Sequence, residues 1–295
     1  MASKELQTVL DLLKSRPAME ELSIEEMRAN MEAGQFPLEP DVRCEPVDAG
    51  GVPAEFVSTP ESDEGRVLYY LHGGGYVGGS ISTHREMASR LARAAKARVL
   101  LIDYRLAPEN PFPAAVEDAV TGYRWLLSSG VKPGRVVIAG ESAGGGLTAA
   151  TLVALRDKGE PLPAAAVCVS PWADMECSGE SMVTRADADP LIQRDVILEM
   201  AKAYLGDKDP RTPLASPIYA NLTGLPPLLI QVGTAEVLYD DATRLAEKAE
   251  AAGVEAGFEP WEDMIHMWHS FAAMLPEGQQ AINRIGEFVI EHTGR

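Results

Sequence analysis

The sequence predicts an α/β chain, with a mostly parallel central sheet, helices on both faces and a helical cap. Three observations carry this. Short aliphatic segments alternate with amphipathic ones from about residue 65 onward, glycine-rich turns follow two of the aliphatic segments, and two polar or helical stretches break the rhythm. Aliphatic runs this short are strands buried on both faces, and joining parallel strands needs crossovers that lay helices against the sheet.

The elements follow in order. Leu6, Val9, Leu10 and Leu13 recur at helical spacing and predict a first amphipathic helix. Ser23 and Glu26 form a capping-box pattern ahead of Ile24, Met27 and Met31, and Gly34 and Pro37 stop that second helix. Residues 1–45 therefore read as an N-terminal helical segment, and 46–295 as the main domain. The stretch 43–57 reads as a hairpin turning at Gly50-Gly51. Buried strands are predicted at 67–71, 98–103, 135–139, 165–169 and 228–232, and helices near 85–97, 114–127, 147–158 and 241–252. An insertion at about 175–220, with one helix near 195–204, is expected to pack over one end of the sheet beside the N-terminal helices.

Composition narrows the function classes. The 295 residues carry 26 basic and 44 acidic side chains, a net charge of −18, which disfavours nucleic acid and anionic membrane surfaces. Three cysteines (Cys44, Cys168, Cys177) make no C-x-x-C pair and read as incidental thiols of a reducing compartment. No apolar run reaches the ~18 residues of a membrane span. Glu5 and Asp11 interrupt any signal-peptide core, so a cytoplasmic protein is expected.

The chemistry lies in two glycine motifs. Gly140-Glu141-Ser142-Ala143-Gly144 is a G-x-S-x-G pattern between a predicted strand and a helix. A strand turning sharply into a helix strains the serine backbone, and side chains at the flanking glycines would clash. His72-Gly73-Gly74-Gly75-Tyr76 follows the 67–71 strand, and consecutive glycines let N–H groups face a cavity where an oxyanion develops. Gly73 to Gly78 also satisfies G-x-G-x-x-G, with Asp103 ending the next strand. The spacing to Asp103 is too long for a dinucleotide fold, and the glycines do not open a helix, whose start is expected at Thr83 or His84. On a doubly wound sheet with this elbow, the serine is followed in the chain by an Asp or Glu and then by a histidine base. His266 and His269 are the candidate bases. Glu236, Asp240 and Asp241, after the 228–232 strand, are the candidate acids, with helix capping as the plainer role of the two aspartates and Asp263 a loop carboxylate.

Together with Tyr104-Arg105-Leu106-Ala107-Pro108-Glu109, these motifs resemble the bacterial hormone-sensitive-lipase-like esterases, family IV of the lipolytic α/β-hydrolases, from about residue 40 to the C-terminus. The resemblance implies an α/β-hydrolase fold with a helical cap and a serine carboxylesterase acting on short- to medium-chain esters through an acyl-enzyme. By position it makes Ser142 the nucleophile, His266 the base, and the N–H groups of Gly73, Gly74 and Ala143 the oxyanion hole. The family's acid is an aspartate of a D-P-L-x-D pattern. Here the aligned stretch runs from Glu236 to Asp240, and Glu236 is preferred, with Asp240 as its competitor. Glu141 replaces a commoner aspartate, and Met267 replaces the usual glycine after the histidine. No metal or organic cofactor is implied, the partner is a small ester, and a homodimer through an edge strand is a family habit. Met19, Met27 and Met31 of the cap are expected either to wall the acyl pocket or to fill core. Amidase, acyltransferase and lactonase chemistry would use the same residues. A non-catalytic small-ligand receptor is the remaining rival: plant gibberellin receptors resemble this family, but they lack the histidine that stands here as His266.

Overall fold

The structure, a computed structural model, describes residues 3–15, 22–34 and 36–294. Its strands are β1 (Arg43–Asp48), β2 (Pro53–Ser58), β3 (Asp63–Leu71), β4 (Ala97–Ile102), β5 (Val136–Glu141), β6 (Ala165–Val169), β7 (Leu228–Gly233) and β8 (Ala256–Trp261). They form one sheet in the order β1-β2-β4-β3-β5-β6-β7-β8. The β1–β2 hairpin and the β2–β4 pair are antiparallel, and every pair from β4 to β8 is parallel. The mostly parallel sheet expected from the alternation is thus what forms.

Side-chain period two divides the core. Val67, Tyr69 and Leu71 of β3 and Val136 and Ile138 of β5 face one apolar layer, while Leu68, Tyr70, Val137 and Ala139 face the other. The first layer is covered by α4 (Ala114–Ser128), α5 (Ala143–Asp157) and α8 (Tyr239–Ala251), the second by α3 (Ile81–Ala95) and α9 (Pro276–Thr293).

The N-terminal helices are α1 (Lys4–Lys14) and α2 (Ile24–Ala33), the latter opened by the Ser23/Glu26 capping box expected from sequence. Leu6, Val9 and Leu13 of α1 pack into a third apolar cluster with Met264, Ile265, Trp268, Phe271 and Leu275. The insertion supplies α6 (Ser181–Thr184) and α7 (Arg194–Leu205), and Ile197, Met200 and Tyr204 of α7 join the first core layer.

One expectation is corrected and one strand was not expected. Helix α3 begins at Ile81, ahead of Thr83, because Ser80 and Thr83 form a reciprocal capping box; it ends when Lys96 turns left-handed, which leaves Ala97 to β4. Strand β8 escapes the sequence pattern because it lies at the sheet edge, half-exposed along its length, and carries Gly257 and Pro260.

Candidate active site

Strand β5 runs straight into α5 through Ser142, whose backbone sits at φ 55°, ψ −122°. A non-glycine residue there stores roughly 1–3 kcal/mol of strain, which the surrounding packing must hold. The flanking glycines make the turn possible. A Cβ on Gly140 would come within 2.5 Å of the Leu71 carbonyl oxygen, and one on Gly144 would collide with the carbonyls of Leu71 and His72. Every residue of α5 from Ala143 to Leu155 is buried, so this helix is held from all sides and aims its positive N-terminus at the serine.

Ser142 is tied to the end of β6. Its N–H donates to the Val169 carbonyl at 2.9 Å, and its own carbonyl accepts from Trp172 N–H at 2.9 Å. The same short stretch reaches Glu236. Ser170 Oγ donates to Glu236 Oε1 at 2.8 Å, Gly233 N–H donates to that oxygen at 2.7 Å, and His266 Nδ1 donates to Glu236 Oε2 at 2.6 Å. Glu236 and His266 are both buried. With its Nδ1 taken by the carboxylate, His266 keeps Nε2 without a hydrogen-bond partner.

The competing acids point elsewhere. Asp240 accepts from the Ser181 N–H, and Asp241 accepts from the N–H groups of Ala173 and Asp174, so both fasten the insertion to the start of α8. Burial pushes the Asp241 carboxyl well above its usual range, and Asp174 beside it adds to the shift. Asp263 lies in a turn at φ 62°, its N–H bonded to Thr234 Oγ1. His269 binds Gln231 instead of any candidate acid, and burial holds it down to about 3, a neutral ring. Met267 adopts φ 52°, a left-handed backbone that glycine enters at no cost, so its place after the histidine is a strained one.

On the other side of Ser142, the glycine loop follows β3. Gly74 lies at φ 112°, and Gly75 lies against the Met200 thioether of α7. Gly73 departs from expectation. Its N–H donates to Glu141 Oε1, so the first donor assigned to the oxyanion hole is already engaged. Among the described residues neither Gly74 nor Gly75 finds such an acceptor, and Ala143 N–H, first in its helix, has no intrahelical acceptor. Asp103 accepts from the Ile81 N–H at 2.6 Å and so fastens the start of α3, leaving the dinucleotide pattern without its acid.

Among the N-terminal methionines, Met27 is buried in the first core layer, Met31 reaches Gly78, and Met19 lies outside the described residues. Sequence reading missed Ser170, Met200 and Asp189. Asp189 is a buried carboxylate of the insertion that accepts the Val237 N–H at 2.9 Å, one residue beyond Glu236. Cys168 and Cys177 are buried thiols pushed up to about 12, mainly by burial. Among the described residues no cluster of His, Cys, Asp and Glu is placed to hold a metal ion, and no helix is long and apolar enough to cross a membrane.

A family model of the alpha/beta hydrolase fold matches residues 68–270. The solved structure of an esterase from the bacterial hormone-sensitive lipase family superposes with a TM-score of 0.96, at 52% identity and covering 100% of both chains. The chain is a bacterial hormone-sensitive lipase-family α/β hydrolase. This hydrolase is also 49% identical to an acetyl-hydrolase of Streptomyces hygroscopicus, over 100% of this chain and 99% of that protein. To an esterase of Acinetobacter venetianus it is 35% identical, over 86% of this chain and 84% of that protein. Both glycine motifs, Ser142 and His266 fall inside the span matched by the family model.

Proposed function

We propose that the hydrolase is a serine carboxylesterase that cleaves short- to medium-chain carboxylic esters. The observation that carries the proposal is the buried Glu236–His266 pair, bonded at 2.6 Å with Nε2 left open and tied through Ser170 to the segment that anchors the strained Ser142 turn. His266 Nε2 takes the Ser142 proton, and the alkoxide attacks the ester carbonyl. The N–H groups of Gly74, Gly75 and Ala143 receive the developing oxyanion, and such donors contribute about 3 kcal/mol each when aligned. His266 then protonates the departing alcohol, and water repeats the cycle on the acyl-enzyme. Relatives named esterase and acetyl-hydrolase support the reaction class, and the Met200 thioether against Gly75 supports a short acyl group.

In this reading α1, α2 and the insertion are the cap, and the net charge of −18 disfavours long fatty-acid products. A cytoplasmic enzyme fits its three free cysteines. A homodimer through the β8 edge is part of the same proposal, and sedimentation tests it. The central test is Ser142→Ala with a series of p-nitrophenyl esters. Turnover should vanish, and rates on the native enzyme should fall as the acyl chain lengthens. Ester hydrolysis that survives the substitution overturns the assignment.

A further inference from the structure

A second glutamate–histidine pair lies beneath the glycine loop, outside the proposed triad. Glu141, the residue before Ser142, is fully enclosed, and its Oε1 accepts from His84 Nε2 at 2.8 Å as well as from the Gly73 N–H. His84 is itself fixed: its Nδ1 bonds Thr83 Oγ1 at 2.7 Å and reaches the Ser80 carbonyl at 3.2 Å. Its ring stacks on His72 at 5.3 Å, and His72 stacks on Tyr104 at 4.2 Å. Tyr104 closes the arrangement by donating its hydroxyl to the His72 carbonyl at 2.7 Å. The glycine loop is thus gripped at its first residue from three elements: the end of β5, the first turn of α3, and the loop after β4. A Cβ on Gly73 would meet Glu141 Oε1 at 2.9 Å and Ser142 Cβ at 3.2 Å, so this glycine permits the close approach.

Building on the esterase reading, we infer that Glu141 and His84 are positioning residues for the oxyanion hole. Glu141 captures the Gly73 N–H, fixing that end of the loop relative to Ser142, so that Gly74 and Gly75 present their free donors at the height of the reacting carbonyl. His84 holds the carboxylate in place. The side chain before the nucleophile therefore acts in the transition state through the loop it anchors and touches no substrate. Burial opposes charge on both partners, yet their mutual attraction keeps His84 above and Glu141 below its ordinary value.

The test compares Glu141→Gln, His84→Asn and the double variant with the native enzyme, using p-nitrophenyl butyrate and a boronic acid that forms a tetrahedral adduct on Ser142. Fluorophosphonate labelling carried to completion counts the assembled sites. Each single variant should lose about 10- to 100-fold in kcat per labelled site, a fraction of what deleting one oxyanion donor costs, with KM nearly unchanged. Boronate affinity should fall in parallel with kcat/KM. Because both residues act through one contact, the double variant should be no slower than the slower single. Unchanged kcat per labelled site, or equal losses in KM and boronate affinity, overturns the inference while leaving the esterase assignment intact. Should Glu141→Gln fail to fold, the same readouts on His84→Asn decide. A native enzyme that cleaves no ester overturns both readings.

Discussion

Two buried glutamate–histidine pairs flank Ser142, and they are built for opposite ends. In Glu236–His266 the carboxylate is saturated by Ser170, Gly233 and the ring, while the far ring nitrogen is left open. In Glu141–His84 both ring nitrogens are engaged, and it is the carboxylate that reaches outward, to Gly73. On the proposed reading, the same two functional groups yield a proton acceptor in one place and a clamp in the other. What separates them is whether the second nitrogen has a partner, a property set by neighbours far away in the chain.

The comparison breaks most sharply at the first pair. Glu236→Gln should lower kcat by about 10³- to 10⁴-fold, because an amide cannot hold the imidazole in its productive tautomer and stabilise the imidazolium. Asp240→Ala should leave kcat unchanged and lower only the melting temperature, since its carboxylate serves the Ser181 N–H. Steady-state kinetics on the two variants decide, and the reverse ranking would transfer the acid role to Asp240.

Smaller effects sharpen the picture. Ser170→Ala removes one of the two bonds that orient Glu236 Oε1 and should cost about tenfold in kcat, as outer partners of functional carboxylates do. Asp189→Asn should weaken the fold by about 1–3 kcal/mol, because the Val237, Leu191 and Ile192 N–H groups share its carboxylate. Urea unfolding measures this, and an unchanged midpoint would show that the insertion does not support the acid loop.

The smallest effect is a pH signature of the clamp. His84 is raised above 6.5, so its share of stability is present below 6.5 and fades as pH rises through the raised value. Glu141 is lowered below 4.5, so its share is present above 4.5 and fades as pH falls through the lowered value. Both shares coexist between those ordinary values. The melting-temperature gap between native and His84→Asn protein should therefore be widest near pH 5.5 and narrower at pH 9. A gap that does not vary would mean the pair is uncharged. His72, Tyr70 and Asp103 surround this pair, and His72 is held down to about 4, chiefly by burial, so it stays neutral through most of that window.

Much of this was legible in the sequence because it is local. Buried aliphatic runs announce parallel strands, and Gly140 and Gly144 announce a serine on a turn too tight for side chains. The Glu236 assignment was legible only as a preference, since Asp240 and Asp241 stand on the same short segment; the hydrogen bond to His266 supports that preference. The engagement of the Gly73 N–H was not legible because its partner, Glu141, lies 68 residues away, and no periodicity encodes such a contact. Ser170 and Asp189 were invisible for the same reason, reaching the acid loop across 66 and 48 residues. Strand β8 lacked the apolar pattern because an edge strand has less to bury.

The packing of α1 has a further consequence. Its Leu6, Val9 and Leu13 share one apolar cluster with Ile265 and Trp268, which lie on either side of His266. Helix α1 and a late loop are therefore one cooperative unit, and detaching the former exposes the floor of the latter. Limited proteolysis within the first fifteen residues becomes an off-switch: turnover should disappear while the far-ultraviolet dichroism of the sheet and its helices persists.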